Sequence, residues 1–312
     1  MLSLNLVYQE KSQIEYKISE FPDGQQDITI LSDVTKLQDQ SVRIESRFNS
    51  FKDLELFICA ANALRRMGVK ERHLYIPYLL GARSDRQFVT GGNSYLVDII
   101  APQLNQTVKE MDGEVRNLFS SVTVMDVHSD VAPACINNLK MIDNKDLVMY
   151  VWDYLVEKNG GRWKQPIVLS PDGGALKKIY KVTEKIGFTG NVVTCSKFRD
   201  TDGKLSMTHV PLGVHDADKD LVIIDDICDG GRTFINIVDA VNKTRGLSSV
   251  VHPSQYGKIY LIVTHGIFSA GHDSLSEKFD GIFCTNSVKD ITRETMELDS
   301  KNKFELIQMN VF

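Results

Sequence analysis

The chain has 312 residues, 42% of them hydrophobic and 25% charged, with acids and bases interspersed and a net charge of −5. That length exceeds one ordinary core and fits two domains of usual size. No basic stripe marks a nucleic-acid surface and no apolar run approaches membrane-spanning length; the five cysteines, Cys59, Cys135, Cys195, Cys228 and Cys284, form no CxxC pair, which points to a reducing cytoplasm without structural zinc.

The chain opens on MLSLNLVYQEKS, which has neither the charged start nor the apolar core of a signal peptide. A helix is predicted after Ser50, with Ser50 and Asp53 as its cap, Leu54, Phe57, Ala61 and Leu64 on one face, and Gly68 at its end. A short apolar run, His73-Leu-Tyr-Ile-Pro, follows and leads into Tyr78-Leu-Leu-Gly-Ala-Arg-Ser-Asp-Arg, which presents Arg83 and Arg86 beyond a strand. Ser121-Val-Thr-Val-Met-Asp is a second run, with His128 just past its end. Pro166-Ile-Val-Leu-Ser, Asn191-Val-Val-Thr-Cys, Leu221-Val-Ile-Ile-Asp and Ile259-Tyr-Leu-Ile-Val-Thr continue the series. Continuous apolar strands alternating with helical periods are the signature of parallel sheets buried on both faces, with ligands outside the carboxyl ends of the strands. The stretch 144–164 separates two such sets, so domains are expected at 1–145 and 146–312, with residues 291–312 packing on either.

Chemistry concentrates where these strands end. In Leu221-Val-Ile-Ile-Asp-Asp-Ile-Cys-Asp-Gly-Gly-Arg-Thr-Phe an apolar strand is read as ending in Asp225 and Asp226, followed by a small-residue loop and a new helix. Amides of such a loop donate to phosphate oxygens, and adjacent carboxylates accept from vicinal hydroxyls. Two acids at a buried strand are costly without a partner, which weighs against a plain turn. In Ser170-Pro-Asp-Gly-Gly, Asp172 sits at a strand end as a candidate Mg²⁺ ligand, although that sequence alone is an ordinary turn. Lys197 and Arg199 precede the polar stretch 200–204, expected to be a mobile loop, and are suited to meeting charge on a transferred phosphoryl group. A lone His128 is more often structural than catalytic, and exposed arginines are more often a solvated face.

Seven motifs in order resemble the ribose-phosphate pyrophosphokinases. They are Phe21-Pro-Asp-Gly, Ile76-Pro-Tyr with Ala82-Arg-Ser-Asp-Arg, Met125-Asp-Val-His, Ser170-Pro-Asp-Gly-Gly, Lys197-Phe-Arg, Ile224-Asp-Asp with Asp229-Gly-Gly-Arg-Thr, and Thr264-His-Gly-Ile-Phe-Ser. The resemblance implies an α/β fold of two phosphoribosyltransferase-like domains, each a mainly parallel sheet flanked by helices. It implies transfer of diphosphate from ATP to the C1 hydroxyl of a 5-phosphorylated ribose, with Mg²⁺ as cofactor and AMP released. By the same resemblance, Phe21, Asp23, Arg83, Asp85 and Arg86 would bind ATP, the first two from a neighbouring subunit of a homo-oligomer, a dimer or hexamer. His128 and Asp172 would serve the metal side, and Lys197, Arg199 and His128 catalysis. Asp225 and Asp226 would take the ribose hydroxyls, and Asp229, Gly230, Gly231, Arg232 and Thr233 the 5-phosphate. No general base is assigned, and no GxxxxGK[ST] loop is present.

Several positions depart from the family's pattern: Gln25 replaces Glu, Ser84 replaces Gln, and Val131-Ala-Pro-Ala stands for Gln-x-Gln-Gly. The phosphate loop changes most, reading Asp229-Gly-Gly-Arg-Thr where the family has Asp-Thr-Ala-Gly-Thr. Arg232 adds a forked cation suited to a further oxyanion. Two acceptors are therefore weighed equally: ribose 5-phosphate, and ADP-ribose, whose 1-diphosphate would serve NAD salvage. The rival classes are a type I phosphoribosyltransferase and an inactive regulatory relative of the synthetases.

Overall fold

In the computed structural model the described residues are 1–161, 163, 165–199, 205–246, 252, 255–291 and 305–312; side chains of 197–199 and 205–207 lie outside the description. The chain divides into two compact units, Met1–Asp143 with Val311–Phe312, and Asn144–Asn310. No helix among the described residues is long and apolar enough to cross a membrane.

The first unit runs β1 (Leu2–Asn5), a hairpin of β2 (Tyr16–Glu20) and β3 (Gln26–Ile30), α1 (Val34–Leu37), β4 (Ser41–Glu45), α2 (Phe51–Arg66) and β5 (Glu71–Tyr75). It continues with a π-helical turn (Tyr95–Ile100), α3 (Ala101–Leu104), a hairpin of β6 (Thr107–Lys109) and β7 (Val115–Asn117), β8 (Ser121–Met125), α4 (Ala132–Cys135) and β9 (Leu139–Ile142). Its sheet has the order β1-β4-β5-β8-β9, and every pairing in it is parallel. Helix α2 forms as its sequence predicts. The Asp53 carboxylate accepts from Ser50 N at 2.8 Å while Ser50 Oγ accepts from Asp53 N, which satisfies two donors that the helix start would otherwise leave open. Gly68, at φ +79°, turns the chain out of the helix. The face carrying Leu54, Phe57, Ala60, Ala61 and Leu64 is buried, each large side chain contributing roughly 1.5–3 kcal/mol.

The β6–β7 hairpin is fastened by a buried cation. Arg72 on β5 donates to Leu118 O and Val69 O, both at 2.9 Å, and ion-pairs with Glu110 in the hairpin turn. Val311 and Phe312 belong to this unit: Tyr75 Oη donates to Val311 O at 3.0 Å, and the Phe312 ring lies edge-on to Tyr8 and Tyr75.

The second unit comprises α5 (Lys145–Lys158), β10 (Ile167–Ser170), α6 (Gly173–Lys185), β11 (Val192–Thr194), the antiparallel pair β12 (Ser196–Arg199) and β13 (Leu205–His209), and β14 (Leu221–Cys228). After them come α7 (Arg232–Gly246), β15 (Ile259–Gly266), α8 (Asp273–Ser276), β16 (Gly281–Thr285) and β17 (Glu305–Met309). Six parallel strands lie in the order β11-β10-β14-β15-β16-β17. One face packs Leu221 and Ile223 with Phe234, Ile237 and Val241 of α7; the other packs Val222 and Ile224 with Val151 and Leu155 of α5 and Ile179 and Val182 of α6. Two buried faces explain why the sheet's strands read as unbroken apolar runs. β14 corrects one expectation: it does not end at the acids. Ile227 still pairs with His265 and Cys228 with Gly266, so Asp225 and Asp226 lie inside the strand.

Candidate functional site

The second unit brings two loops to the carboxyl ends of β14 and β10. Beyond β14, Asp229 accepts from Ser269 Oγ at 2.6 Å, while the Ser269 amide donates to Asp229 O at 3.2 Å. Gly231 has φ +77°, and a Cβ there would stand 2.7 Å from Leu275 Cδ2, so both backbone and space require glycine. Its carbonyl accepts from the Phe234 and Ile235 amides at the start of α7. The amides of Arg232 and Thr233 donate to no protein group among the described residues. Open first-turn amides with the positive end of the helix dipole suit a phosphate. Arg232 is exposed at the first position of this helix. Cys228, beside the loop, is buried, which pushes its thiol up to about 12 and leaves it without nucleophilic character near neutrality.

Just before this loop, Asp226 is 7% exposed and its Oδ2 accepts from Lys178 Nζ of α6 at 2.8 Å. The Asp226 amide donates to Asp225 Oδ1 at 2.9 Å. Beyond β10, Ser170 Oγ donates to Asp172 O, and Asp172 Oδ1 accepts from Gly174 N and Ala175 N at 3.1 and 3.2 Å. Asp172 is therefore the N-cap of α6. A Cβ on Gly173 would meet nothing within 4 Å, so the backbone there is open to a ligand. Lys197 and Arg199 lie on β12 by their backbone, while their side chains and the stretch 200–204 fall outside the described residues.

In the first unit the loop after β5 and the loop after β8 are joined through one carboxylate. Asp85, 7% exposed, accepts from Arg86 Nε and NH2 at 2.7 and 3.0 Å and from Ser129 Oγ at 2.7 Å. The Arg86 hydrogen bonds, helped by Ser129, hold the carboxyl down at about 2 against the opposing effect of burial. The carboxylate is turned to Arg86 and Ser129 and fixes a guanidinium that is itself exposed. Arg83 and His128 are exposed on these same two loops. Gly81, at φ +87°, bends the first of them, and a Cβ there would be 2.8 Å from the Tyr95 ring. Phe21 stands 49% exposed at the tip of the β2–β3 hairpin, where Gly24, at φ +92°, and Asp23, accepting from Gln25 N at 3.2 Å, shape the turn.

Among the described residues no group of three or more His, Cys, Asp or Glu side chains is arranged to hold a metal ion. The donor set, single carboxylates beside phosphate-seeking amides, fits Mg²⁺ arriving on a polyphosphate and not a caged ion. Sequence reasoning assigned no role to Lys178 or Ser129, nor to Ser269, which closes the Thr264-His-Gly-Ile-Phe-Ser motif. The only signal for Lys178 was the demand of a buried Asp226 for a counter-charge.

No family model matches the chain. It is 25% identical over 289 residues to the ribose-phosphate pyrophosphokinase of Pyrococcus furiosus, covering 89% of this chain and 88% of that one. To the enzyme of the same name from Helicobacter hepaticus it is 31% identical over 199 residues, 64% of this chain and 57% of the other. The crystal structure of phosphoribosylpyrophosphate synthetase from Mycobacterium smegmatis matches with a TM-score of 0.73 at 16% identity, covering 97% of this chain and 88% of that chain. The two parallel-sheet units define an α/β protein of phosphoribosyltransferase-like fold. Within that class the chain is similar over most of its length to the enzymes named ribose-phosphate pyrophosphokinase, as a divergent relative of them.

Proposed function

We propose that this chain transfers the β,γ-diphosphoryl group of ATP to the C1 hydroxyl of ribose 5-phosphate and releases AMP. The observation that carries the reading is the β14–α7 segment, where two carboxylates precede a glycine loop whose following helix offers the unmated amides of Arg232 and Thr233. The amides and Thr233 would hold the 5-phosphate, and Asp225 and Asp226 the ribose hydroxyls. The acceptor's C1 oxygen attacks the β-phosphorus as the bond from that phosphorus to the α,β-bridging oxygen breaks; AMP leaves with that oxygen and the bond's electron pair, and the hydroxyl proton passes to solvent water. Such a reaction depends on positioning and on charge compensation more than on covalent help. Arg83 and Arg86 would bind the nucleotide, with Phe21 and Asp23 of a neighbouring copy at the adenine, and Lys197 and Arg199 would meet the charge on the transferred group. His128 and Asp172 would face the phosphates of the magnesium nucleotide. Mg²⁺ bound there would supply charge neutralisation for the transferred group.

Ribose 5-phosphate is preferred over ADP-ribose as the acceptor. The curated relatives are named for ribose phosphate, and that naming favours the shorter acceptor. The test is AMP release from Mg–ATP with each acceptor offered separately and the products identified by mass. Turnover with ribose 5-phosphate is expected. Turnover confined to ADP-ribose would overturn the acceptor, and AMP-free silence with both would leave a regulatory relative.

A further inference from the structure

Strand β14 sorts its side chains by alternation, and the sorting separates the two acids. Leu221 and Ile223 face α7, whereas Val222 and Ile224 face α5 and α6. Past Ile224 the next two positions put Asp225 on the α7 side and Asp226 on the α6 side, where Lys178 meets it; the alternation ends at Cys228, which packs with the α7 face. A carboxylate with a side chain 8% exposed needs a counter-charge, and α6 supplies it: Lys178 Nζ is 2.8 Å from Asp226 Oδ2. Lys178 precedes Ile179, which is buried against the sheet, so its stem runs along the edge of the packed face while its ammonium reaches inward. The Lys178 side chain is 35% exposed, so the pair is reached from solvent on the lysine side.

We infer that Lys178 is a positioning residue for the acceptor: it fixes Asp226 as an oriented carboxylate, and through it one hydroxyl of the ribose. The helix carrying Lys178 begins at the Asp172 cap, so the pair ties α6, which follows the β10 loop, to the end of β14. This inference rests on the reading of the site as a ribose-phosphate site.

The experiment measures ribose 5-phosphate binding by calorimetry alongside steady-state KM and kcat for Lys178→Met, Lys178→Arg and the exposed control Lys181→Met. Each variant is normalised to its folded fraction. Lys178→Met should weaken acceptor binding about ten- to a hundredfold, the equivalent of one charge-assisted hydrogen bond, and leave KM for ATP within about twofold. Lys178→Arg should recover most of the loss, and Lys181→Met should match the unaltered chain. Unchanged acceptor affinity in Lys178→Met would overturn the inference, as would equal losses for ATP and acceptor or a failure of Lys178→Arg to recover. Binding without AMP release in the unaltered chain would reject the proposed reaction while the binding comparison still decides the role of Lys178. No binding at all would reject both.

Discussion

Ser129 Oγ donates to the same Asp85 oxygen that Arg86 NH2 grips, so one carboxylate links the loop after β5 to the loop after β8. Side chains from neighbouring strand ends thereby hold Arg86 in one orientation.

This arrangement has a pH signature. Asp85 is held at about 2 in the folded chain, against 3.8 for an ordinary aspartate. A depressed carboxyl stabilises the fold fully above its unfolded value and loses that contribution as pH falls through the folded one. The stabilisation should therefore be complete above about pH 4 and fade toward pH 2. Asp85→Asn should lower stability at neutral pH and flatten that acid limb in denaturant titrations. An acid limb identical to that of the unaltered chain would show that the pairing contributes nothing.

Gly231 and Gly230 should respond differently to alanine. At Gly231 the added carbon meets a left-handed backbone and Leu275 at 2.7 Å, whereas at Gly230 the nearest atom is Ser269 Oγ at 3.7 Å. Gly231→Ala should cost about 1–3 kcal/mol and weaken phosphate binding, and Gly230→Ala should leave stability nearly unchanged. Thermal unfolding of the two variants side by side decides it.

Asp172 has a structural duty that can be separated from any metal duty. Asp172→Ala removes the α6 cap and should cost about 1 kcal/mol, while Asp172→Asn keeps a capping oxygen and should be nearly neutral. The half-saturating Mg²⁺ concentration for AMP release should rise in both variants. A rise confined to the alanine variant would mean that Asp172 acts through the cap alone.

Arg72→Met should destabilise the first unit by about 3–5 kcal/mol, because it strands Glu110 and two carbonyls in the interior. Replacing Glu110 by Gln in the same background should recover part of the loss, as removing the orphaned charge predicts. Chemical denaturation followed by near-ultraviolet circular dichroism would report both.

The sequence made β8, β10, β14 and β15 readable because burial on two faces leaves largely apolar runs, and β5 was read only from its apolar end, Leu74-Tyr75-Ile76. β4 was harder: its burial alternates along Ser41–Glu45, and its polar positions hid it. The end of β14 was misread because charged residues look like a strand end when the ladder that continues past them cannot be seen. Of the candidate site, the loops were legible through their Gly and Asp residues. Their partners were not: Ser129, Lys178 and Ser269 reach Asp85, Asp226 and Asp229 across 44, 48 and 40 residues of chain. Contacts at that separation are set by the sheet order and leave no local pattern.

The clasp between Ser269 and Asp229 bears on how the site meets its ligand. A glycine-rich loop left to itself samples many backbone states, and a phosphate would have to select one of them at an entropic cost of about 1–2 kcal/mol for each residue ordered. Here a serine from the next strand's loop has already made that selection. On the proposed reading, the amides at the head of α7 would meet the acceptor's phosphate already in place, leaving binding energy for holding its C1 oxygen in line with its target.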